Sequence, residues 1–199
     1  MRLMKSAQYA KDKEMNKRSL KNVSKYISFV LRHNPYDISD KIGKDRDYEV
    51  MDSEGYVFVA DLLEACNINL DELKEIVDTD EKKRYSFHPK ALKIRANQGH
   101  STKKANLTLK EETPPTWLYH GTSSKFLENI MKGGLRPMTR QYVHLTDDLE
   151  TASKVGKRHG GELKILKIST IEMLNDGLKF FKSENDVWLA LAVPSKYLR

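Results

Sequence analysis

Hydrophobic side chains recur at helical spacing near the start of the chain. From Ser19 to Leu31 they return every three or four residues, which predicts an amphipathic helix. Pro35 ends this helix, because the residue before a proline is biased away from the helical conformation. Arg32 and His33 fall in its last turn, with Arg32 opposite the apolar stripe and His33 on its shoulder. Both side chains can face a ligand there, although basic residues in a last turn also simply complement the helix dipole.

Two shorter helical patterns and a pair of alternating segments follow. Helices are predicted over residues 60–65 and 69–77, and Asn69 opens the second as part of a capping box. The segments 84–88 and 91–95 alternate between apolar and polar residues, which predicts a hairpin. Helices followed by a two-stranded wing indicate a winged-helix module, although a fold alone does not establish nucleic-acid binding.

The second strand of the hairpin leads into the polar stretch KIRANQGHS. In a strand, Leu92 and Ile94 would face the core. Lys93 and Arg95 would then present two cations on the opposite face, away from the core. Gly99 leaves the backbone free to approach a ligand closely, and the neighbouring polar side chains offer hydrogen bonds. Taken alone, such a strand end and polar turn is also typical of an ordinary surface loop.

A polar segment separates this region from one with a different pattern. Residues 102–116 are polar, mixed in charge and interrupted by two prolines, which predicts a linker. Beyond it we predict strands at 117–120, 143–145, 163–168, 180–181 and 187–193, and helices at 124–131 and 148–155. The chain should therefore be an α+β protein of two lobes.

The composition narrows the classes of protein that the chain could represent. No uninterrupted apolar run approaches the ~20 residues of a membrane helix, so we expect a soluble, intracellular protein with no membrane partner. We place it in the cytoplasm, with the nucleus left open. Cys66 is the only cysteine, which excludes an internal disulfide framework. The six histidines form neither an HxxxH nor an HxH pair, so we predict no metal site.

The formal net charge of +7 is concentrated near the N-terminus. Residues 1–25 contain eight lysines or arginines and two acids, a local excess of +6. We interpret residues 1–18 as a basic arm that could attract phosphates in a salt-dependent manner. A solvated terminus that binds nothing is an equally good interpretation.

Two groups of residues in the second lobe could take part in chemistry. His120 and Thr122 directly follow an apolar strand and could hydrogen-bond sugar hydroxyls, while Gly121 would let a flat ring contact the backbone. Arg140 and His144 accompany the next predicted strand. A histidine at a strand end is more often structural than ligand-binding, so these residues carry weight only in combination.

Six motifs occur in order along the chain: LRHNP, IRANQGHS, LYHGT, GL, RQYVHLT and VWLALAVP. Together they resemble the NAD-dependent RNA 2'-phosphotransferases that complete tRNA splicing, over residues 19–198. The resemblance implies an RNA-binding winged-helix lobe at 19–101, joined through the linker to an ADP-ribosyltransferase-like mixed β lobe at 117–199. We expect a monomer, although the sequence leaves the oligomeric state open.

The resemblance further implies a reaction. Enzymes of this family remove an internal 2'-phosphate from RNA, as at a spliced tRNA junction, and transfer it to NAD. The products are RNA with a free 2'-hydroxyl, ADP-ribose 1'',2''-cyclic phosphate and nicotinamide. NAD is consumed as a co-substrate, and the expected partners are NAD and RNA that carries a 2'-phosphate, tRNA above all.

Four residues match the catalytic positions of the family. Arg32, His33 and Arg95 match those that grip and orient the phosphate. Arg140 matches an arginine assigned mainly to the second stage of the reaction. Arginine suits a phosphate because its planar fork carries a permanent charge. We expect the cluster to lack a compensating acid, so that it needs an anion at its centre. The resemblance leaves the role of His33 open between charge donor and proton shuttle.

Other positions match the NAD-binding part of the family. His120, Gly121 and Thr122 match its NAD-holding strand, and His144 stands where many relatives in the wider fold have tyrosine. Val187 stands where protein-modifying ADP-ribosyltransferases usually have glutamate. That departure favours an acceptor that is already an anion, such as a phosphate.

The polar stretch around the end of the hairpin contains five further residues with expected roles. Lys93 and Asn97 are predicted substrate contacts. Gln98, His100 and Ser101 are expected only to shape the loop.

Two other functions stay open from the sequence. One is an ADP-ribosyltransferase that modifies terminal phosphates of nucleic acids and stops there. The other is a non-catalytic winged-helix protein that binds nucleic acid. Nicotinamide release separates the enzymes from the binding protein, and a cyclic phosphate product separates the two enzymes.

Overall fold

The computed structural model describes residues 20–45 and 47–199. Within these ranges the chain forms two compact units, the first ending at Leu107 and the second beginning at Thr108. Both units contain helices and antiparallel strands, which confirms the predicted α+β class. The boundary between the units falls inside the segment 102–116, and the limits of the predicted domains stay a prediction. The predicted basic arm lies outside the described residues. No helix in these ranges is long and apolar enough to cross a membrane.

Helices supply most of the core of the first unit. α1 runs through residues 20–32, and it is followed by α2 (Tyr36–Lys41), α3 (Val59–Cys66) and α4 (Leu70–Asp78). The sequence did not predict α2, which is separated from α1 by Pro35. Pro35 is the N-cap residue of α2, a position where the missing backbone N–H costs no hydrogen bond. Asn69 and Glu72 exchange side-chain and backbone hydrogen bonds at the start of α4, which confirms the predicted capping box.

A three-stranded antiparallel sheet completes the first unit. It contains β1 (Val57–Phe58), β2 (Tyr85–Phe87) and β3 (Lys93–Ala96), with β3 in the centre. The pairing of β2 with β3 confirms the predicted hairpin. Ile94 and Ala96 are fully buried on the inner face. Because side chains alternate along a strand, Lys93 and Arg95 lie on the outer face.

The prediction that Leu92 faces the core is wrong. Leu92 lies in the turn before β3, and 78% of its surface is exposed. Its backbone carbonyl accepts a hydrogen bond from Val59 N at 2.9 Å. The backbone of the turn is therefore held at the edge of the sheet, while the side chain extends beyond the core that Ile94 fills.

The second unit combines short antiparallel strands with helices and turns. Its strands are β4 (Lys110–Glu111), β5 (Trp117–Ser123), β6 (Val143–Leu145), β7 (Leu163–Ser169), β8 (Phe181–Lys182) and β9 (Trp188–Ala190). Its helices are α5 (Ser124–Gly133), α6 (Leu149–Gly156) and α7 (Thr170–Asn175), with short 3-10 turns at Lys157–His159 and Ser195–Tyr197. One sheet has the order β4-β8-β9-β6 and the other pairs β5 with β7. A bridge between Tyr119 and Thr146 connects β5 to the end of β6.

The strands and helices predicted for the second lobe are present near their predicted positions. β4 and α7 were not predicted. β4 lies inside the predicted linker, and its two residues are both exposed, so no alternation marks it. α7 has only six residues, too few for a clear helical period.

Candidate active site

The loop after β3 docks on the C-terminal end of α1. The backbone N–H groups of Ser101 and Thr102 both donate to the carbonyl of Arg32, at 2.9 and 3.1 Å. His33 Nδ1 lies 2.8 Å from Ser101 Oγ, within hydrogen-bonding distance. Gly99 has a φ of +88°, a conformation that favours glycine, and lies against the Arg32 side chain. The loop thus brings the end of α1 to the end of β3.

Arg95 has an acidic neighbour that the sequence did not reveal. Its Nη1 donates to the backbone carbonyl and to Oε2 of Glu54, both at 3.3 Å, and its guanidinium lies 4.6 Å from the centre of the Tyr56 ring. Only 12% of the Arg95 side chain is exposed. The expectation of a cluster without a compensating acid is therefore wrong. Arg95 is on the outer face, but it lies under Glu54 and Tyr56 rather than in open solvent.

A turn centred on Asp52 positions Glu54 next to Arg95. Asp52 Oδ1 accepts hydrogen bonds from the backbone N–H groups of Glu54 and Tyr56. Asp52 Oδ2 also accepts from Lys93 Nζ at 3.0 Å. The turn therefore holds Glu54 and Tyr56 above the outer face of the sheet. Nothing in the spacing of these residues along the sequence predicts this contact with β3.

His100 lies among the three basic residues that were predicted to grip a phosphate. Only 2% of its surface is exposed, and its Nε2 has no hydrogen-bond partner among the described residues. Burial and, to a smaller extent, the nearby charges of Arg32, Arg95 and His33 together lower the pKa of His100 to about 4. His100 is therefore neutral at pH 7. The loop-shaping role that the sequence suggests for His100 stays a prediction.

Lys93 and Asn97 occupy different settings in the hairpin. The Lys93 ammonium pairs with Asp52 and lies 4.9 Å from the centre of the Phe58 ring. The buried Asn97 amide donates to the Lys83 carbonyl at 2.8 Å and accepts from Ser86 Oγ. Asn97 thus ties the hairpin together. Its role and that of Lys93 in contacting a substrate stay predictions.

His120 in the second unit is a neutral imidazole with a defined tautomer. Its Nδ1 lies 3.1 Å from the carbonyl of His144, and a carbonyl can only accept, so Nδ1 carries the proton. Burial lowers the pKa of His120, against the opposing effect of this hydrogen bond. Nε2 is then an acceptor, which suits a donor such as a sugar hydroxyl. This chemistry fits a ribose.

Glycine is needed at position 121 because helix α6 packs directly against it. A Cβ at this position would lie 1.7 Å from the carbonyl oxygen of Ala152 and 2.9 Å from the backbone nitrogen of Gly156, both in α6. The space beside Gly121 is therefore taken by α6 rather than left for a flat ring. Whether Gly121 and the buried Thr122 also bind NAD through their backbone or hydroxyl groups stays a prediction.

Arg140 and Val187 lie in turns of the second unit. Arg140 is exposed, and its backbone N–H donates to the carbonyl of Pro137 at 3.0 Å. Val187 lies just before β9, where its N–H donates to Ser183 Oγ and its carbonyl accepts from the backbone and hydroxyl of Ser183. No group of three histidine, cysteine, aspartate or glutamate side chains that could hold a metal occurs in the part of the chain that the structure describes.

Comparison with known proteins assigns the chain to a family. The model of the RNA 2'-phosphotransferase, Tpt1 / KptA family matches residues 17–192. The chain belongs to this family. It is 44% identical to a probable RNA 2'-phosphotransferase of Fusobacterium nucleatum, over 89% of this chain and 96% of that protein. It is 43% identical to a protein of the same description in Flavobacterium johnsoniae, over 92% and 98% of the two chains. The corresponding values for an Escherichia coli relative are 41%, 92% and 97%.

Proposed function

We propose that this protein removes an internal 2'-phosphate from RNA by transferring it to NAD. The observation that carries the proposal is the docking of the loop after β3 on α1, which gathers Arg32, His33 and Arg95 around the neutral His100. Membership of the RNA 2'-phosphotransferase family supports an RNA 2'-phosphate as the anion that this cluster would bind. A spliced tRNA is the RNA that we propose, with RNA 2'-hydroxyl, nicotinamide and ADP-ribose 1'',2''-cyclic phosphate as products.

We also propose a finer description of the two units. The helices α1 to α4 followed by the β2–β3 hairpin support a winged-helix architecture for the first unit. The short antiparallel sheets and flanking helices support an ADP-ribosyltransferase-like architecture for the second. On this proposal the first unit holds the RNA phosphate and the second holds NAD.

The way in which Arg32 and Arg95 are held in the first unit supports a phosphate bound in a fixed orientation. Arg32 Nη1 is positioned by Ser28 Oγ at 3.2 Å, and Arg95 is positioned by Glu54 and Tyr56. Guanidinium groups that are held in place before the reaction stabilise the spread charge of a phosphoryl group in transit. His100 must be neutral for this purpose, because another positive charge would push the two arginines apart.

NAD would supply an electrophilic sugar carbon that accepts the 2'-phosphate oxygen as nicotinamide leaves, and a neighbouring ribose hydroxyl that then takes the phosphoryl group from the RNA oxygen. His120 fits the ribose, because its Nε2 is an acceptor for a hydroxyl. Val187 provides no carboxylate at the position where one would activate a neutral acceptor. A phosphate needs no such activation, since it is already an anion.

The direct test is to incubate the protein with NAD and an oligonucleotide that carries one internal 2'-phosphate. Release of nicotinamide together with ADP-ribose 1'',2''-cyclic phosphate is the expected result. Nicotinamide release without the cyclic phosphate would instead support a terminal ADP-ribosyltransferase. Binding without any release of nicotinamide would support a non-catalytic RNA-binding protein.

The two proposed arginine roles differ in what accumulates. Arg140→Ala should leave an ADP-ribosylated RNA phosphate, because only the second stage is slowed. Arg95→Ala should slow both stages, so that no such species builds up. Chromatography of the RNA over time measures the difference, and the opposite pattern would reverse the two assignments.

A further inference from the structure

The outer face of the three-stranded sheet carries a strip of aromatic and basic side chains. Phe58 in β1 lies directly opposite Lys93 in β3. The Lys93 ammonium is 4.9 Å from the centre of the Phe58 ring. Two residue positions further along each strand, the Arg95 guanidinium lies 4.6 Å from the centre of the Tyr56 ring. Cations and aromatic rings therefore alternate along the same face.

The strip continues across the sheet. The Tyr56 ring meets the His88 ring edge to face, with 4.9 Å between their centres. His88 directly follows β2, and its backbone N–H donates to the carbonyl of Lys93 in β3. The Tyr56 ring therefore contacts both the Arg95 guanidinium and the His88 ring. Phe58, Lys93, Tyr56 and Arg95 form one continuous surface, which we call the outer strip.

One end of the outer strip is open to solvent. The surface of Phe58 is 46% exposed, although phenylalanine is usually buried. Leu92, 78% exposed, lies at the same edge of the sheet, where its carbonyl accepts from Val59 N. The other end of the strip is Arg95, which the proposed function assigns to the 2'-phosphate. An apolar surface next to a proposed phosphate site is suited to a nucleobase.

The charges on the strip point to stacking as the main source of affinity. Lys93 is paired with Asp52 and Arg95 with Glu54, so the net charge of these four groups is close to zero. General attraction to the phosphate backbone would therefore be weak here. Aromatic rings that stack on successive bases, with cations beside them, are how proteins bind single-stranded nucleic acid without reading its sequence.

We propose that the outer strip binds the nucleotide next to the 2'-phosphate in single-stranded RNA. The base stacks on Phe58, and the backbone phosphate of that nucleotide lies beside Lys93. Residues two apart on a strand are about 6.6 Å apart, so Lys93 and Arg95 can contact neighbouring groups of one RNA strand. This inference rests on the proposed function only in taking the 2'-phosphate to Arg95.

The test compares two labelled probes in a binding assay without NAD. One probe is a short single-stranded oligonucleotide with an internal 2'-phosphate, and the other is a nucleoside 2'-monophosphate, which has no neighbouring nucleotide. Phe58→Ala should weaken binding of the oligonucleotide by about fivefold to 150-fold, because one stacked base is lost. It should leave binding of the nucleoside 2'-monophosphate unchanged. Phe58→Trp should restore the affinity for the oligonucleotide.

Phe126→Ala is the matched control, because Phe126 is a phenylalanine of the second unit with 45% of its surface exposed. It should bind both probes like the wild type. Phe58→Leu keeps an apolar side chain without a ring and should still lose affinity for the oligonucleotide, which separates stacking from a loss of folding.

Two results would overturn the inference. One is wild-type affinity of Phe58→Ala for the oligonucleotide, and the other is an equal loss for both probes. Failure of the proposed function has a different outcome, namely no nicotinamide release by the wild type when NAD is present. The binding assay can therefore be decided whichever way that reaction turns out.

Discussion

The two units prepare their polar groups in opposite ways. In the first unit Arg32, His33 and Arg95 surround a histidine that burial keeps neutral, and Glu54 balances one of the charges. In the second unit His120 is itself neutral, and its ring is oriented by one backbone carbonyl. The first arrangement suits an anion, whereas the second suits an uncharged sugar or amide.

The interactions that hold these polar groups in place also differ between the two units. Hydrogen bonds between a loop and a helix end hold the cationic cluster. Close packing of α6 on Gly121 holds the strand that carries His120, and this contact tolerates no added atom. We therefore expect activity to be most sensitive to side-chain changes in the first unit. Stability should be most sensitive to small increases in side-chain volume in the second unit.

The largest effect is expected from Arg95→Ala. Losing a positioned guanidinium from a charge-stabilising site should lower kcat/KM by about 10²- to 10³-fold. Arg95→Lys should recover only part of the loss, because an ammonium has no planar fork. Steady-state release of nicotinamide measures the effect. Arg84→Ala, which removes an arginine paired with Asp80 in the same unit, is the control and should keep nearly wild-type activity. Equal losses in the two alanine variants would contradict the special place of Arg95.

A large loss of stability is expected from Gly121→Ala. The new methyl group would overlap the Ala152 carbonyl, and overpacking of this kind costs about 1–3 kcal/mol or more in the free energy of unfolding. Urea unfolding measures it. Gly133→Ala is the matched control, since no atom lies within 4 Å of the added Cβ and Gly133 is the last residue of α5. If the two variants are equally stable, α6 does not approach β5 as closely as described.

A smaller effect is expected on the pH dependence of stability. The pKa of His100 falls from 6.5 to about 4 on folding, so the unfolded chain takes up the proton first as the pH is lowered. The contribution of His100 is therefore complete above pH 6.5 and is lost progressively as the pH falls toward 4. At pH 5 the loss should be about 2 kcal/mol. Urea unfolding at pH 7 and pH 5 should show this loss for the wild type and a smaller one for His100→Gln. The same pH dependence in both proteins would contradict the buried, neutral state.

The smallest effect is expected from Glu54→Gln. The Glu54 carboxylate competes with any incoming anion for Arg95, but it is 44% exposed, so the competition is weak. Removing its charge should tighten binding of a nucleoside 2'-monophosphate by up to about fivefold. Isothermal titration calorimetry measures the change. Glu49→Gln removes an equal charge from another exposed position and should leave the affinity as it is. Weaker binding to Glu54→Gln would show that the carboxylate supports the site rather than competing for it.

Sequence patterns correctly predicted the elements that depend on residues close together in the chain. The capping box of α4 and the β2–β3 hairpin depend on residues close in sequence, and both are confirmed. Short elements such as α2 and β4 were missed, because their few residues carry no clear period. The exposed position of Leu92 was missed for a related reason, since alternation does not reveal where a strand begins.

Contacts between distant segments explain what the sequence could not show about the site. The placement of Glu54 on Arg95 depends on a turn held by Asp52, which lies far from β3 in sequence. The neutral state of His100 depends on burial by a docked loop. The sequence predicts that Gly121 leaves room for a ligand, whereas α6 fills the space beside it. In each case the residue was visible in the sequence, but its partner was not.

The shared carbonyl of Arg32 has a consequence for how the protein is made. The backbone N–H groups of Ser101 and Thr102 donate to it, and Ser101 Oγ lies within hydrogen-bonding distance of His33, which is 68 positions earlier in the chain. Contacts that close so long a stretch of chain form slowly, because the entropy of closure is lost before the contacts form. A nascent chain would thus carry the basic end of α1 well before the loop arrives. The complete cluster of Arg32, His33 and Arg95 therefore exists only after the hairpin has folded.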